Sequence, residues 1–265
     1  MPDMELECHI NPTISSEQFV ADHIFFVLLN GGMTLYDVNH QYPIQPGDYH
    51  FIHRNQLARY TKTPPKQGEF ESISVFLRQD FLRSISQEYD LIAEPSAIKE
   101  TMISIEPDLL LKNFVQSYPP YATLTGQDAA TLIKLKQKEL VLILLRLHPE
   151  LKNILFDFSE PEKIDLEAFM TRNFKFNVSI QRFSYLTGRS ITTFKRDFEK
   201  IFNMPPGRWL IERRLKEAHY LIQTKGMLPS LAYLEVGFED LSHFSFAFKK
   251  MFGMSPAQVK KALPL

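Results

Sequence analysis

The strongest constraint on this chain is that a stretch of its C-terminal hundred residues is nearly repeated. SIQRFSYLTGRSITTFKRDFEKIFNMPPGRW (179–209) lies beside LPSLAYLEVGFEDLSHFSFAFKKMFGMSPAQV (228–259). Each copy reads as a short helix, then Gly188 or Gly237, then a longer helix closed by Met-Pro-Pro or Met-Ser-Pro. A tight turn between helices needs a backbone free to take positive φ, which is what glycine supplies. Phe194, Phe198 and Phe202, and likewise Phe244, Phe248 and Phe252, recur at i+4. That spacing places each trio on one buried face. The opposite faces, with Thr192, Lys195 and Arg196, and with Ser242, Ser245 and Lys249, are left for something outside.

A helix docked by one apolar face and presenting short polar and basic residues on the other suits a major groove. The groove is about 12 Å wide and admits one helix, and Lys or Arg bonds guanine edges or phosphates there. Between the copies, PGRWLIERRLKEAHYLIQ (206–223) predicts one long helix with Pro at its start. At a rise of 1.5 Å per residue it is about 27 Å long, enough to set two recognition helices ~34 Å, one DNA turn, apart. Trp209 and Tyr220 on it are expected to pack, and Arg213, Arg214 and Lys216 to form a solvated face.

Charge divides the chain in the same sense. Residues 163–265 carry 17 Lys+Arg against 9 Asp+Glu, a balance of +8; residues 1–162 carry 13 against 22, a balance of −9. The two sum to the overall −1. A basic half joined to an acidic one implies that one half alone meets a polyanion.

From about residue 164 to 263 the sequence resembles the AraC/XylS family of transcription regulators. The resemblance rests on L-x-x-L-A-Y-L-E-V-G-F-E-D-L-S-H-F-S-F-A-F-K-K-M-F-G-M-S-P. It implies a reader with two helix-turn-helix units, at about 179–203 and 228–253. Carried over by position, base contacts come from Thr192, Lys195 and Arg196 in the first recognition helix. In the second they come from Leu241, Ser242, His243 and Ser245, with Lys249 and Lys250 on phosphates. The family commonly holds Arg where this chain has Phe246. Phenylalanine cannot make a bidentate bond to guanine. Unit one is therefore expected to carry more of the specificity.

The first half is patterned differently. HIFFVLLNG, GMTLYDVN, QYPIQPGDYHFIHRN and FESISVFLR are short β-rich runs cut by turn signals, which implies a β-sandwich or barrel. With its PGD turn at 46–48 this region resembles the cupin-like regulatory domain of the same family. An interior lined by Phe25, Val27, Leu29, Tyr36, Tyr49, Phe51 and Phe76 either holds a ligand or is filled core. His50 and His53 are three apart on a strand and should diverge, so no metal site is expected. TLIKLKQKELVLILLRLHPEL is helical in period, and either burial or a dimer seam near 132–147 accounts for its leucines. The stretch 151–164 reads as the interdomain connection. The stretch around Glu139–Leu147 also resembles the subgroup whose first domain is controlled by a bound protein.

Bulk properties close off other classes. Apolar residues make up 44% and charged residues 23%, values of a soluble globular chain. Cys8 is the single cysteine, so no intrachain disulfide forms, which fits a reducing compartment. The apolar run LVLILLRL (140–147) is too short to span a bilayer. No signal peptide is read at the N-terminus. The expected architecture is multidomain, with a β-barrel or cupin-like regulatory and dimerisation domain over 1–155. Residues 156–265 form an all-α DNA-binding domain. The expected function is sequence-specific regulation, as an activator, on double-stranded promoter DNA with RNA polymerase, in the cytoplasm on the nucleoid, without catalysis, cofactor or membrane. Control comes from a small molecule or a regulatory protein. A cupin-type metal enzyme with a helical appendage and a non-specific DNA binder are the alternatives.

Overall fold

The computed structural model describes residues 4–9, 13–14, 18–95 and 100–261. The chain forms two compact units. Among the described residues, one takes in 4–9, 13–14, 20–95 and 100–159; the other takes in 160–261 together with Gln18 and Phe19.

The strands are β1 (Met4–His9), β2 (Thr13–Ile14), β3 (Phe19–Val20), β4 (His23–Asn30), β5 (Gly32–Tyr36), β6 (Gln41–Ile44), β7 (Tyr49–Ile52), β8 (Gln56–Leu57), β9 (Arg59–Thr63), β10 (Phe70–Leu77) and β11 (Met102–Ser104). A five-stranded sheet runs β1-β10-β4-β7-β11, and a four-stranded one β2-β9-β5-β6. The pairings within both sheets are antiparallel, with Val27 opposite Ile73 and Tyr49, and Leu35 opposite Tyr60 and Tyr42. The PGD segment is a tight turn: Gly47 sits at φ 91, and the Asp48 carboxylate accepts from the Gln45 amide at 2.7 Å.

The two sheets do not close into a barrel. They face each other across a core of Phe26, Leu28, Met33, Leu35, Ile44 and Phe70. Helices α1 (Gln79–Tyr89), α2 (Leu109–Gln116), α3 (Pro119–Ala122), α4 (Ala129–Leu147) and α5 (Lys152–Leu155) belong to the same unit. Residues of α1, α2, α4 and α5 cover the other face of the larger sheet, against Phe25, Val27, Phe51, Ile73 and Val75. The five-stranded sheet is thus the middle of three layers, and both side-chain parities of β4 are buried. This corrects the expected barrel interior. Phe25, Val27, Tyr49 and Phe51 do point the same way, but towards helices; Leu29 is exposed, and Tyr36 and Phe76 are half-buried.

Two further features of this unit differ from the sequence reading. Leu151, Ile154, Leu155 and Phe156 are buried in the helix-side core, so the connection begins only after them. α4 buries Leu140, Val141, Ile143 and Leu144, and Gln137 donates to the Phe76 carbonyl at 2.8 Å, while Leu132, Leu135 and Leu142 remain on its exposed side.

The second unit is all helical: α6 (Leu166–Asn173), α7 (Ile180–Leu186), α8 (Ile191–Phe202), α9 (Pro206–Gln223), α10 (Pro229–Glu235), α11 (Leu241–Phe252) and α12 (Pro256–Lys261). Side-chain caps set several starts. Asp165, Ser179, Ser190 and Asp240 each accept from the amide three residues on, which satisfies a donor that helix geometry leaves free.

Candidate nucleic-acid interface

The two helix-turn-helix units are α7–α8 and α10–α11, and each is held by its phenylalanine trio. Phe194, Phe198, Phe244 and Phe248 are fully buried. Trp209, near the start of α9, packs on Phe198 and Phe202 at centroid distances of 5.5 and 4.6 Å. Ten residues along the same helix, His219 packs on Phe248 and Phe252 at 5.8 and 4.6 Å. One helix thus supplies a ring to each trio. Tyr220, expected to pack, is exposed.

Both turns depend on glycine. Gly188 has φ 64, and a Cβ there would stand 2.4 Å from the Glu162 carbonyl carbon. Gly237 has φ 90, and a Cβ would stand 2.2 Å from the Lys175 carbonyl oxygen. In each unit backbone from outside the unit, Glu162 or Lys175, lies directly on the turn. An arginine locks each seat. Arg189 donates to the carbonyls of Ile164 and Thr187 at 2.9 and 2.7 Å. Arg214 donates to Phe174, Phe176 and Gly237 at 2.7, 2.8 and 2.9 Å. Its burial lowers the guanidinium pKa to about 10, partly countered by the charge of Glu239, so it stays cationic at neutral pH. Arg214 is therefore a structural clamp, not part of a solvated face. Nothing in its sequence neighbourhood separates it from Arg213, which lies over the Phe174 ring at 4.5 Å.

With the trios turned inward, the faces expected to read DNA turn out. Thr192, Lys195 and Arg196 are exposed on α8. On α11, Leu241, Ser242, His243, Lys249 and Lys250 are exposed, and Ser245 is half-buried. At 3.6 residues per turn, Arg196 lies opposite Phe194 and Phe198, and Phe246 opposite Phe244 and Phe248. The His243 amide donates to the Asp240 carboxylate at 2.6 Å, so its backbone is committed to the cap while its side chain is free of that task.

One residue of this surface escaped the sequence reading. Asp197 accepts from Arg196 at 3.2 and 3.3 Å and from Arg189 at 3.4 Å, with Lys163 at 4.0 Å. Burial pushes its carboxyl up, but the bonds from Arg196 and Arg189 outweigh this and hold it below the usual carboxylate range. It fixes the guanidinium of the expected base reader. The only hint in the sequence is an acid directly after Lys195-Arg196.

His50 and His53 lie on different sides of the strand's continuation. By strand alternation His50 shares the inter-sheet side with Ile52, whereas His53 stacks on His23 at 5.2 Å. Among the described residues no group of three His, Cys, Asp or Glu side chains is placed to hold a metal. None of the described helices is long and apolar enough to cross a membrane.

A family described as "ExsA N-terminal regulatory domain" matches residues 23–154, and one described as "Helix-turn-helix domain" matches 184–262. The chain belongs to the AraC/XylS family of transcription regulators. Among the relatives of this AraC/XylS member is the HTH-type transcriptional regulator ExsA of Pseudomonas aeruginosa, 25% identical over 96% of this chain and 91% of the relative. Another is the virulence regulon transcriptional activator VirF of Yersinia enterocolitica, 25% identical over 89% of this chain and 88% of the relative. The solved structure of ToxT from Vibrio cholerae spans both chains in full at 13% identity and a TM-score of 0.42, too loose a likeness to bear on function.

Proposed function

We propose that this AraC/XylS member is a transcription activator that places α8 and α11 in successive major grooves of promoter DNA. The observation that carries this is the pair of alike helices, each docked by a phenylalanine trio with two rings fully buried and each exposing its opposite face. Thr192, Lys195 and Arg196 form the principal reader. Leu241, Ser242, His243 and Ser245 meet bases in the second half-site, and Lys249 and Lys250 meet phosphates. That VirF is named an activator supports the sign of regulation, exerted through contact with RNA polymerase. The protein acts as a binder and not as a catalyst, on the nucleoid in the cytoplasm.

The first unit regulates. Control comes from a regulatory protein on its surface or from a small molecule, for which an open cleft lined by Leu29, Tyr49, Lys112 and Val115 leaves room. The exposed Leu132, Leu135 and Leu142 on α4 support a homodimer through this helix.

The test is a gel-shift titration of the full chain on upstream DNA at two salt concentrations, repeated with Arg196→Ala. Affinity should fall steeply with salt as counterions are released. The variant should lose about 1–3 kcal/mol more on the specific site than on other DNA. Affinity indifferent to salt, or equal loss on all DNA, would refute the reading.

A further inference from the structure

We propose that Phe246 makes the second recognition helix a reader of the thymine methyl group, so that unit two selects a T·A pair where unit one uses a guanidinium. The inference rests on the placement of α8 and α11 in major grooves. The two helices share one frame. Ser190 and Asp240 cap their starts, Asn203 and Gly253 close their ends in the left-handed conformation, and the trios lie fifty residues apart. In that frame Phe246 takes the place of Arg196, at the centre of the outward face.

Phe246 is 71% exposed, while Phe244 and Phe248 on the same helix are fully buried. Its neighbours one turn away along α11 are Ser242, His243, Lys249 and Lys250, all polar and exposed. None of them shelters the ring. Ser242 is short, so the ring projects beyond it, and the two lysines are long enough to reach phosphates past it. Phenyl carbon offers neither donor nor acceptor to a base edge. The one apolar mark in the major groove is the 5-methyl of thymine, which Phe is able to contact. The ring also borders an open groove between α9 and α11 that includes Ile211, Leu215 and Met251. Apolar surface therefore continues behind the ring, and a base-pair contact would extend it rather than bury a polar group.

The test uses the full chain and double-stranded DNA selected by it from a randomised pool. Each thymine of the selected site is replaced singly by uracil, which removes only the methyl. One replacement in the second half-site should weaken binding about fourfold, the value of one buried methyl-sized group. Phe246→Ala should bind the thymine site as weakly as the wild type binds the uracil site, and should be indifferent to the replacement. Phe246→Arg should select guanine at that position. The side chain is exposed, so melting temperatures of both variants should match the wild type. Neutral replacement of every thymine, or undiminished methyl sensitivity in Phe246→Ala, overturns the proposal while leaving DNA reading intact. Failure to select any site, with Arg196→Ala equally without effect, overturns the underlying reading and the proposal with it.

Discussion

Gly237→Ala places one methyl group where the second helix-turn-helix has no room for it. The added Cβ would stand 2.2 Å from the Lys175 carbonyl oxygen and 3.2 Å from Cζ of Arg214, at a φ of 90. Holding a non-glycine residue at such a φ costs about 1–3 kcal/mol. The contact is with backbone, so Lys175 has to move, and Phe174 and Phe176 beside it are carbonyl partners of Arg214. Losing one of those charge-assisted bonds adds about 1.5–3 kcal/mol. The sum is a loss of roughly 2.5–6 kcal/mol, a large part of the stability of a domain this size. Gly207→Ala is the matched control. Nothing lies within 4 Å of its Cβ and it sits in the first turn of α9, so a gain of about 0.5–1 kcal/mol is expected there. Urea unfolding of the full chain, followed by far-ultraviolet circular dichroism, gives both values. Trp209 fluorescence separately reports the first trio, on which that ring packs. Stability of Gly237→Ala within 1 kcal/mol of wild type would refute the reasoning.

Three other outcomes follow from particular contacts. Asp197→Asn frees Arg196 and removes a negative charge from the reading face, so affinity for any duplex should rise severalfold at low salt in a filter-binding assay, with a steeper salt slope. Phe198→Ala removes a fully buried ring packed on Phe194, Phe202 and Trp209 and should cost about 3–5 kcal/mol, read as an earlier loss of Trp209 fluorescence on urea unfolding. Burial, aided by the charge of Arg54, lowers the pKa of His53 to about 4, and burial with the charges of His53 and Arg54 holds His23 well below 6.5. Between pH 6.5 and 4 the unfolded chain therefore binds protons that the folded unit refuses, so stability falls as pH falls through that window. Thermal melts at pH 7.5 and 5 should show the loss, and His53→Phe should reduce it, with the contribution of His23 remaining.

The second unit was legible because its signals are local. A period of four in phenylalanine, a glycine at each turn and Ser or Asp at helix starts all act within a few residues. They placed α7, α8, α10 and α11 and the outward faces of the two recognition helices. The first unit was less legible. HIFFVLLN shows almost no alternation because both faces of β4 are buried, one by helices and one by a second sheet. An unbroken apolar run says that a strand is central but not what lies on each side, and a barrel interior was the wrong completion. Leu151–Phe156 looked like a connection because its partners are far away in sequence. Arg214 was missed for the same reason. Lysine and arginine that bond distant carbonyls have the same letters as those that bond water.

The linker helix α9 has a consequence for the promoters such a protein is able to serve. Trp209 and His219 anchor one continuous rod in both hydrophobic clusters, so the reader has no slack between its halves. Inserting a single base pair between half-sites turns one relative to the other by about 34–36°. A hinged reader would absorb that phase error by bending. Here it has to be met by the DNA, through twisting or the loss of one half-site. Genes entering the regulon must therefore acquire both halves in fixed phase, which makes recruitment of new targets slow and their accidental capture rare.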